Sequence, residues 1–253
     1  MKRPRRLKHG ETAELVDHLG ELRARLVIAL IAVGAAFAVA YAEHQQLVLW
    51  LESPLPGHRK LVTYGVAEPF LTSLQVSFLA GLALALPIVL WQLWSFLAPT
   101  VEPHAERTVA WCVAFASGLF VAGIAFGYRV ALPAALKFLT SYDARIYDIQ
   151  IRARDYISFA LAVLVAVGVV FELPAVIVTL ARLGIVKSRW LRRNRRIGYA
   201  IVAVIAVALP GVDPFTTTLE MIPLFILFEL SIWLAVVAER KRNKSAIGAL
   251  QES

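Results

Sequence analysis

Two glutamates stand where a carboxylate is costly. Glu172 is the only formally charged residue between Tyr156 and Ala181, and Glu229 lies inside the apolar run from Ile222 to Ala238. At the centre of a bilayer an ionisable side chain costs at least about 2.5 kcal/mol even on the mildest insertion scale, which makes a lipid-facing position for Glu172 untenable. Three roles fit such an acid: a hydrogen-bonding site inside a helix bundle, a polar contact surface for partners, or one member of a proton relay. Pro174 follows Glu172 by two residues and removes a helical N–H, so a carbonyl near the carboxylate needs another partner. For Glu229 a purely structural role is equally open. Outside the apolar runs, Glu21 precedes Arg25 by four residues, the spacing of a helical ion pair worth a few tenths of a kcal/mol.

Other chemistries lack their residues. The single cysteine, Cys112, lies within an apolar run, so neither a disulfide framework nor a thiolate metal cage is available, and no metal or cofactor is expected. The chain has no glycine-rich phosphate loop ending in Lys-Ser or Lys-Thr and no plausible nucleophile and histidine-base arrangement. An enzyme is not expected.

The elements that must carry these acids are apolar and long. Of 253 residues, 59% are hydrophobic and 17% charged, and the mean hydropathy is +0.68. This composition belongs to a membrane protein with several spans. Six apolar segments stand out, at about Leu26 to Ala42, Phe70 to Ala98, Val109 to Tyr128, Tyr156 to Leu183, Ile197 to Leu209 and Ile222 to Ala238. None alternates as a barrel strand does, so the expected class is all-α, a polytopic bundle of six transmembrane helices. The fifth segment is short, about 20 Å of helix against a hydrocarbon core of about 30 Å. It implies either a re-entrant hairpin or a locally thinned bilayer.

The formal charge of +8 raises the question of nucleic acid. The cations sit between apolar runs, however, and the positive-inside rule is the simpler cause. Seven of them precede Leu26, Arg107 follows the second run, seven lie from Arg182 to Arg196, and four follow Ala238. The other three connections share the remaining seven. Both termini are therefore expected in the cytoplasm. The cluster from Lys187 to Arg196 is expected to fix topology and meet anionic lipid, each cation contributing about 1 kcal/mol near such a surface.

The start of the chain imitates export signals without matching one. A basic leader, an apolar stretch from Leu26 and Ala40-Tyr41-Ala42 resemble a cleavable signal peptide, and Arg5-Arg6 a paired-arginine one. Glu11, Glu14, Asp17 and Glu21 intervene and five more apolar runs follow, so a retained first span is expected. Leu15, Leu19, Leu22 and Leu26 share one helical face, with Glu14, His18, Glu21 and Arg25 along another, predicting an interfacial helix before it. The expected organisation is one membrane domain over 1–253: an N-terminal segment 1–25, a bundle 26–238 and a tail 239–253. The stretch from Arg129 to Asp155 is expected to cap the external side and be partly helical.

Four patterns occur in order along these elements. They are His18-Leu19-Gly20-Glu21-Leu22-Arg23-Ala24-Arg25-Leu26 entering the first run, Gln92-Leu93-Trp94-Ser95-Phe96-Leu97-Ala98-Pro99 closing the second, Phe171-Glu172-Leu173-Pro174 in the fourth, and Leu209-Pro210-Gly211-Val212-Asp213-Pro214-Phe215 before the sixth. With this order and spacing the chain, from about Leu15 to Ala238, resembles the TatC family, the multispanning receptor subunit of the twin-arginine protein translocase. The resemblance implies a concave, glove-like bundle in the inner membrane that binds paired arginines of signal peptides at its cytoplasmic face. It also implies TatA-like and TatB-like single-span partners, contact with membrane lipid, possible self-association, and transport of folded proteins driven by the proton-motive force.

Site residues follow from the same resemblance. Glu21 and Arg23 match the first signal-binding motif. The second signal-binding glutamate is expected after the second run, where this chain has Ala105; the role passes to Glu106, one residue later, with Glu102 upstream. Carboxylates suit the task because planar guanidinium groups pair with them through two charge-assisted hydrogen bonds. Phe96 offers an aromatic surface for the signal's apolar residues or packs at the interface beside Trp91 and Trp94. Pro54 matches a proline of the first external loop, and Pro87 shapes the second span. Asp213 matches an aspartate of the last external loop, although Thr217 replaces the glutamine usual four residues later. In this family Glu229 lies near the region receiving partner helices. The alternative from another class is a proton-coupled small-solute transporter relaying protons through Glu172 and Glu229.

Overall fold

A computed structural model describes residues 15–56, 61–97, 106–142, 145–146, 149–182, 186–209 and 214–251. The described residues are almost entirely helical, and their only β pairing is an isolated bridge between Val62 and Arg152. The helices are α1 (Leu15–Ala42), α2 (His44–Glu52), α3 (Glu68–Leu97), α4 (Glu106–Phe126), α5 (Leu132–Ser141), α6 (Ala153–Phe171), α7 (Leu173–Arg182), α8 (Ser188–Arg193), α9 (Arg195–Ala208) and α10 (Pro214–Gln251). A π-helical turn, Gly127–Ala131, joins α4 to α5. Five stretches are long and apolar enough to cross a membrane: Gly20–Ala42, Glu68–Phe96, Ala110–Ser141, Ala153–Ala181 and Pro214–Val237. With 14 residues, α9 is a sixth apolar helix but only about 21 Å long.

Large apolar side chains on the outside fit this reading. Leu30, Ile31, Val121, Val204 and Ile226 are exposed; water would penalise such a surface, whereas acyl chains match it. The core is built around α6. Half of its most apolar window is buried, compared with 6% for α1, so α6 is the centre of the bundle and α1 its margin. Tyr156, Ile157, Ala160, Val163, Leu164 and Val167 form the buried spine of α6.

Between helices that gain no hydrophobic driving force from lipid, close packing requires small residues. A Cβ on Gly81 of α3 would lie 2.6 Å from the Phe37 Cα of α1, so only glycine permits that crossing. Gly123 of α4 and Gly168 of α6 face each other in the same way, a Cβ on the first lying 2.9 Å from the Cα of the second.

Several boundaries differ from the sequence expectation. Among the described residues no separate interfacial helix precedes the first span: α1 runs from Leu15 without interruption. The breaker ahead of the span, Gly20, costs about 1 kcal/mol relative to alanine and does not overcome strong helix formers on both sides. The third helical column continues through the π turn and α5 to Ser141, making part of the predicted cap helical. α10 begins at Pro214, eight residues before its apolar run, because proline is preorganised for the first helical position. The fourth span is two helices, broken at Glu172. Pro174 falls in the first turn of α7, where its missing N–H leaves no helical hydrogen bond unmade. Pro87, by contrast, lies inside α3, and the helix continues past it.

Candidate functional site

Successive long helices run in opposite directions, which sorts the charged residues onto two ends. One end carries the start of α1, the junction of α3 and α4, the short α8 and the start of α9, with Arg23, Arg25, Arg189, Arg192, Arg193, Arg195 and Arg196. We call it the basic end. The other carries α2, the start of α3, the π turn and the start of α6.

At the basic end Glu21 lies in the first turns of α1. Arg25 donates to its Oε1 from Nε at 2.9 Å and from Nη2 at 2.6 Å. The Glu21 side chain is 40% exposed, and the Arg25 side chain 23%. Among the described residues Oε2 accepts no bond. The i,i+4 pair anticipated from spacing is therefore made, and its carboxylate is already engaged with a guanidinium. Arg23 is exposed. Phe96 is half-buried in the last turn of α3. Glu106 opens α4, but its side chain, with Ala105 and Glu102, lies outside the described residues, as does Asp213. α1 packs on α3 and α3 on α4, and the helix starts that carry Glu21 and Glu106 both belong to the basic end.

The two mid-span acids have different surroundings. Glu229 of α10 accepts a short hydrogen bond from the Tyr199 hydroxyl and faces Arg195 Nη2 at 3.6 Å, both from α9. Tyr199 also packs edge-on against Phe225 and Phe228. Glu229 thus ties the short helix to its neighbour. Glu172, at the α6–α7 break, is half-buried, and its Oε1 is buried with no hydrogen-bond partner among the described residues. The expected bond from backbone or another helix is not made at that oxygen among the described residues, and the Val176 N–H takes the Glu172 main-chain carbonyl in the ordinary helical pattern.

Pro54 follows α2 at the opposite end, half-buried between Ser53 and buried Leu55. Two tyrosines grip the segment before it. Tyr128 in the π turn donates to the Trp50 carbonyl at 2.7 Å, accepts from Ser53 Oγ at 2.6 Å and stacks on the Trp50 ring at 3.8 Å. Tyr156 donates to the Leu51 carbonyl at 2.5 Å. These carbonyls belong to the last turn of α2, where the intrahelical ladder runs out; the Trp50 carbonyl also accepts from the Ser53 N–H at 3.2 Å.

Sequence reasoning missed Glu68 and Arg152. Arg152 Nε contacts both carboxylate oxygens of Glu68 at 3.0 and 3.2 Å, and its Nη2 reaches Oε2 at 3.0 Å. The hydrogen bonds to Glu68 push the Arg152 guanidinium above its ordinary value. The partners are 84 residues apart, so no local pattern marks them; the only signal is an acid in the first turn of an apolar helix. Glu220 of α10, 2% exposed, was also missed.

The family model for the Sec-independent protein translocase protein (TatC) matches residues 17–223. The chain belongs to the TatC family. The TatC of Carboxydothermus hydrogenoformans is 37% identical over 87% of this chain and 92% of its own length. That of Deinococcus radiodurans is 36% identical, covering 93% and 92%, and that of Escherichia coli K12 33%, covering 89% of each. Among solved structures, a crystal structure described as the twin-arginine translocase receptor TatC in DDM superposes with a TM-score of 0.75 at 32% identity, over 86% of this chain and 99% of that one. A second structure of that receptor gives 0.73 at 31%. TatC proteins are membrane-embedded translocase components, so the solute-transporter alternative gains no support from these relatives.

Proposed function

We propose that this TatC protein is the receptor for twin-arginine signal peptides and the core subunit of a translocase that moves folded proteins using the proton-motive force. In this reading it forms a single domain with six spans in the inner membrane, its basic end and both termini in the cytoplasm. Glu21 and Glu106 hold the paired arginines, Arg23 completes the first motif, and Phe96 receives the apolar part of the signal. TatA-like and TatB-like helices approach the α9–α10 side near Glu229 and Asp213. Glu172 supplies a polar site within the bundle, and Pro54 stiffens the cap. No step requires covalent catalysis.

The observation that supports this best is the Glu21–Arg25 contact. An exposed carboxylate at the basic end already holds a guanidinium through a pair worth only about 0.3–0.5 kcal/mol, with one oxygen unbonded among the described residues. A peptide bringing two guanidinium groups can share or displace that contact. Photocrosslinkers at Glu21 and Glu106, challenged with a signal peptide bearing paired arginines or paired lysines, test the reading. Preferential capture of the arginine peptide is expected; equal capture of both removes the recognition claim. A reporter fused after Leu250 should read as cytoplasmic, and an external reading overturns the orientation.

A further inference from the structure

A cavity of about 530 Å³ opens at the end opposite the basic one, where α3 and α6 begin. Glu68, Thr72 and Gln75 of α3 line it together with Arg152 and Arg154. Its charges are unequal in availability. The Glu68 side chain is only 4% exposed, and its oxygens accept from Arg152, from the backbone N–H groups of Tyr64 and Gly65 at 3.2 Å each, and from that of Arg154 at 3.1 Å. This carboxylate has no capacity left for a ligand. Arg152 remains 37% exposed, and among the described residues its Nη1 makes no bond. The Arg154 side chain is exposed, and among the described residues it has no partner. Asp155, also exposed, lies next in the chain but does not line the cavity. Among the described residues the cavity therefore presents two guanidinium groups against one saturated carboxylate.

The mouth is apolar. Val66 and Leu71 line it and are exposed, their chain neighbours Tyr64 and Phe70 are exposed as well, and both helices enter their apolar spans immediately below. Guanidinium forks match phosphate oxygens, and a site at this depth meets the headgroup layer. The geometry points to a binding site for one anionic glycerophospholipid, its phosphate on Arg152 and Arg154 and its acyl chains along Phe70 and Leu71. A zwitterionic headgroup is disfavoured because its ammonium finds no unsaturated carboxylate among the described residues that line the cavity.

Retention of lipid by the full chain in mild detergent, counted by native mass spectrometry, tests this site. The probes are phosphatidylglycerol, phosphatidylcholine of the same chains, and glycerol phosphate without chains. One phosphatidylglycerol retained in preference to the other two is expected. Arg154→Gln should weaken retention about fivefold, the scale of one cation at a lipid surface, and Arg154→Lys should restore part of it. Arg154→Gln keeps the backbone bond to Glu68, so the fold stands. Arg145→Gln, which removes a cation outside the cavity, should change nothing. Equal losses in Arg154→Gln and Arg145→Gln overturn the site, equal retention of glycerol phosphate overturns the lipid as occupant, and equal retention of phosphatidylcholine overturns the anionic selectivity.

Discussion

Glu21 shows how one short distance divides a structural role from a binding one. Its bond to Arg25 at 2.6 Å is ordinary for a helix surface, yet an internal guanidinium on the proposed recognition carboxylate is also a competitor for an incoming one. Replacing the carboxylate removes a charge-assisted contact worth about 1.5–3 kcal/mol, so Glu21→Gln should weaken binding of a paired-arginine peptide by at least about tenfold. Removing the competitor acts the other way: Arg25→Gln should tighten the same peptide about twofold, the value of one exposed helical pair. Fluorescence anisotropy with a labelled signal peptide reads both. If Arg25→Gln weakens binding instead, Arg25 belongs to the recognition surface. The acid was legible from its neighbours in sequence. Its engagement by Arg25 was legible only as a spacing, and the exposure that makes the contact exchangeable was not.

The helices are held by contacts that no hydropathy profile contains. Gly81 sets how near α1 comes to α3, and a larger residue there has backbone, not a mobile side chain, in its way. Overpacking of this kind costs about 1–3 kcal/mol, so Gly81→Leu should lower the thermal unfolding midpoint in detergent. Gly118→Leu, where a Cβ meets nothing within 4 Å, should lower it much less. The cap offers a second test. Tyr128 reaches the end of α2 from the π turn that follows α4. Tyr128→Phe removes both hydrogen bonds of the hydroxyl, each worth about 1 kcal/mol, and hydrogen exchange of the α2 amides should speed by about fivefold or more. Unchanged exchange would assign the cap's position to the Trp50 stack and Tyr156 alone.

Across the molecule, the Glu68–Arg152 pair joins the start of α3 to the start of α6, the central helix. Breaking it from either side leaves one charge in a partly closed cavity, so Glu68→Gln and Arg152→Gln should each lower the unfolding midpoint. The double substitution should cost less than the sum of the two, since the second change removes a partner already lost; strict additivity would show that the pair does not act as a unit. The sequence by itself determined the helical class, the membrane setting, the apolar runs and the family, because burial in lipid requires long uninterrupted apolar stretches and topology requires asymmetric basic loops. It also marked Glu172 and Glu229, since acids in such stretches stand out against their neighbours. Only the tertiary structure decided which acids have partners. Glu229 meets Tyr199 across 30 residues and Glu68 meets Arg152 across 84, while Glu172 keeps a buried oxygen with no partner among the described residues. A side chain's partner depends on which helices lie side by side and how they are rotated, and residues far apart in the chain carry no local trace of that arrangement.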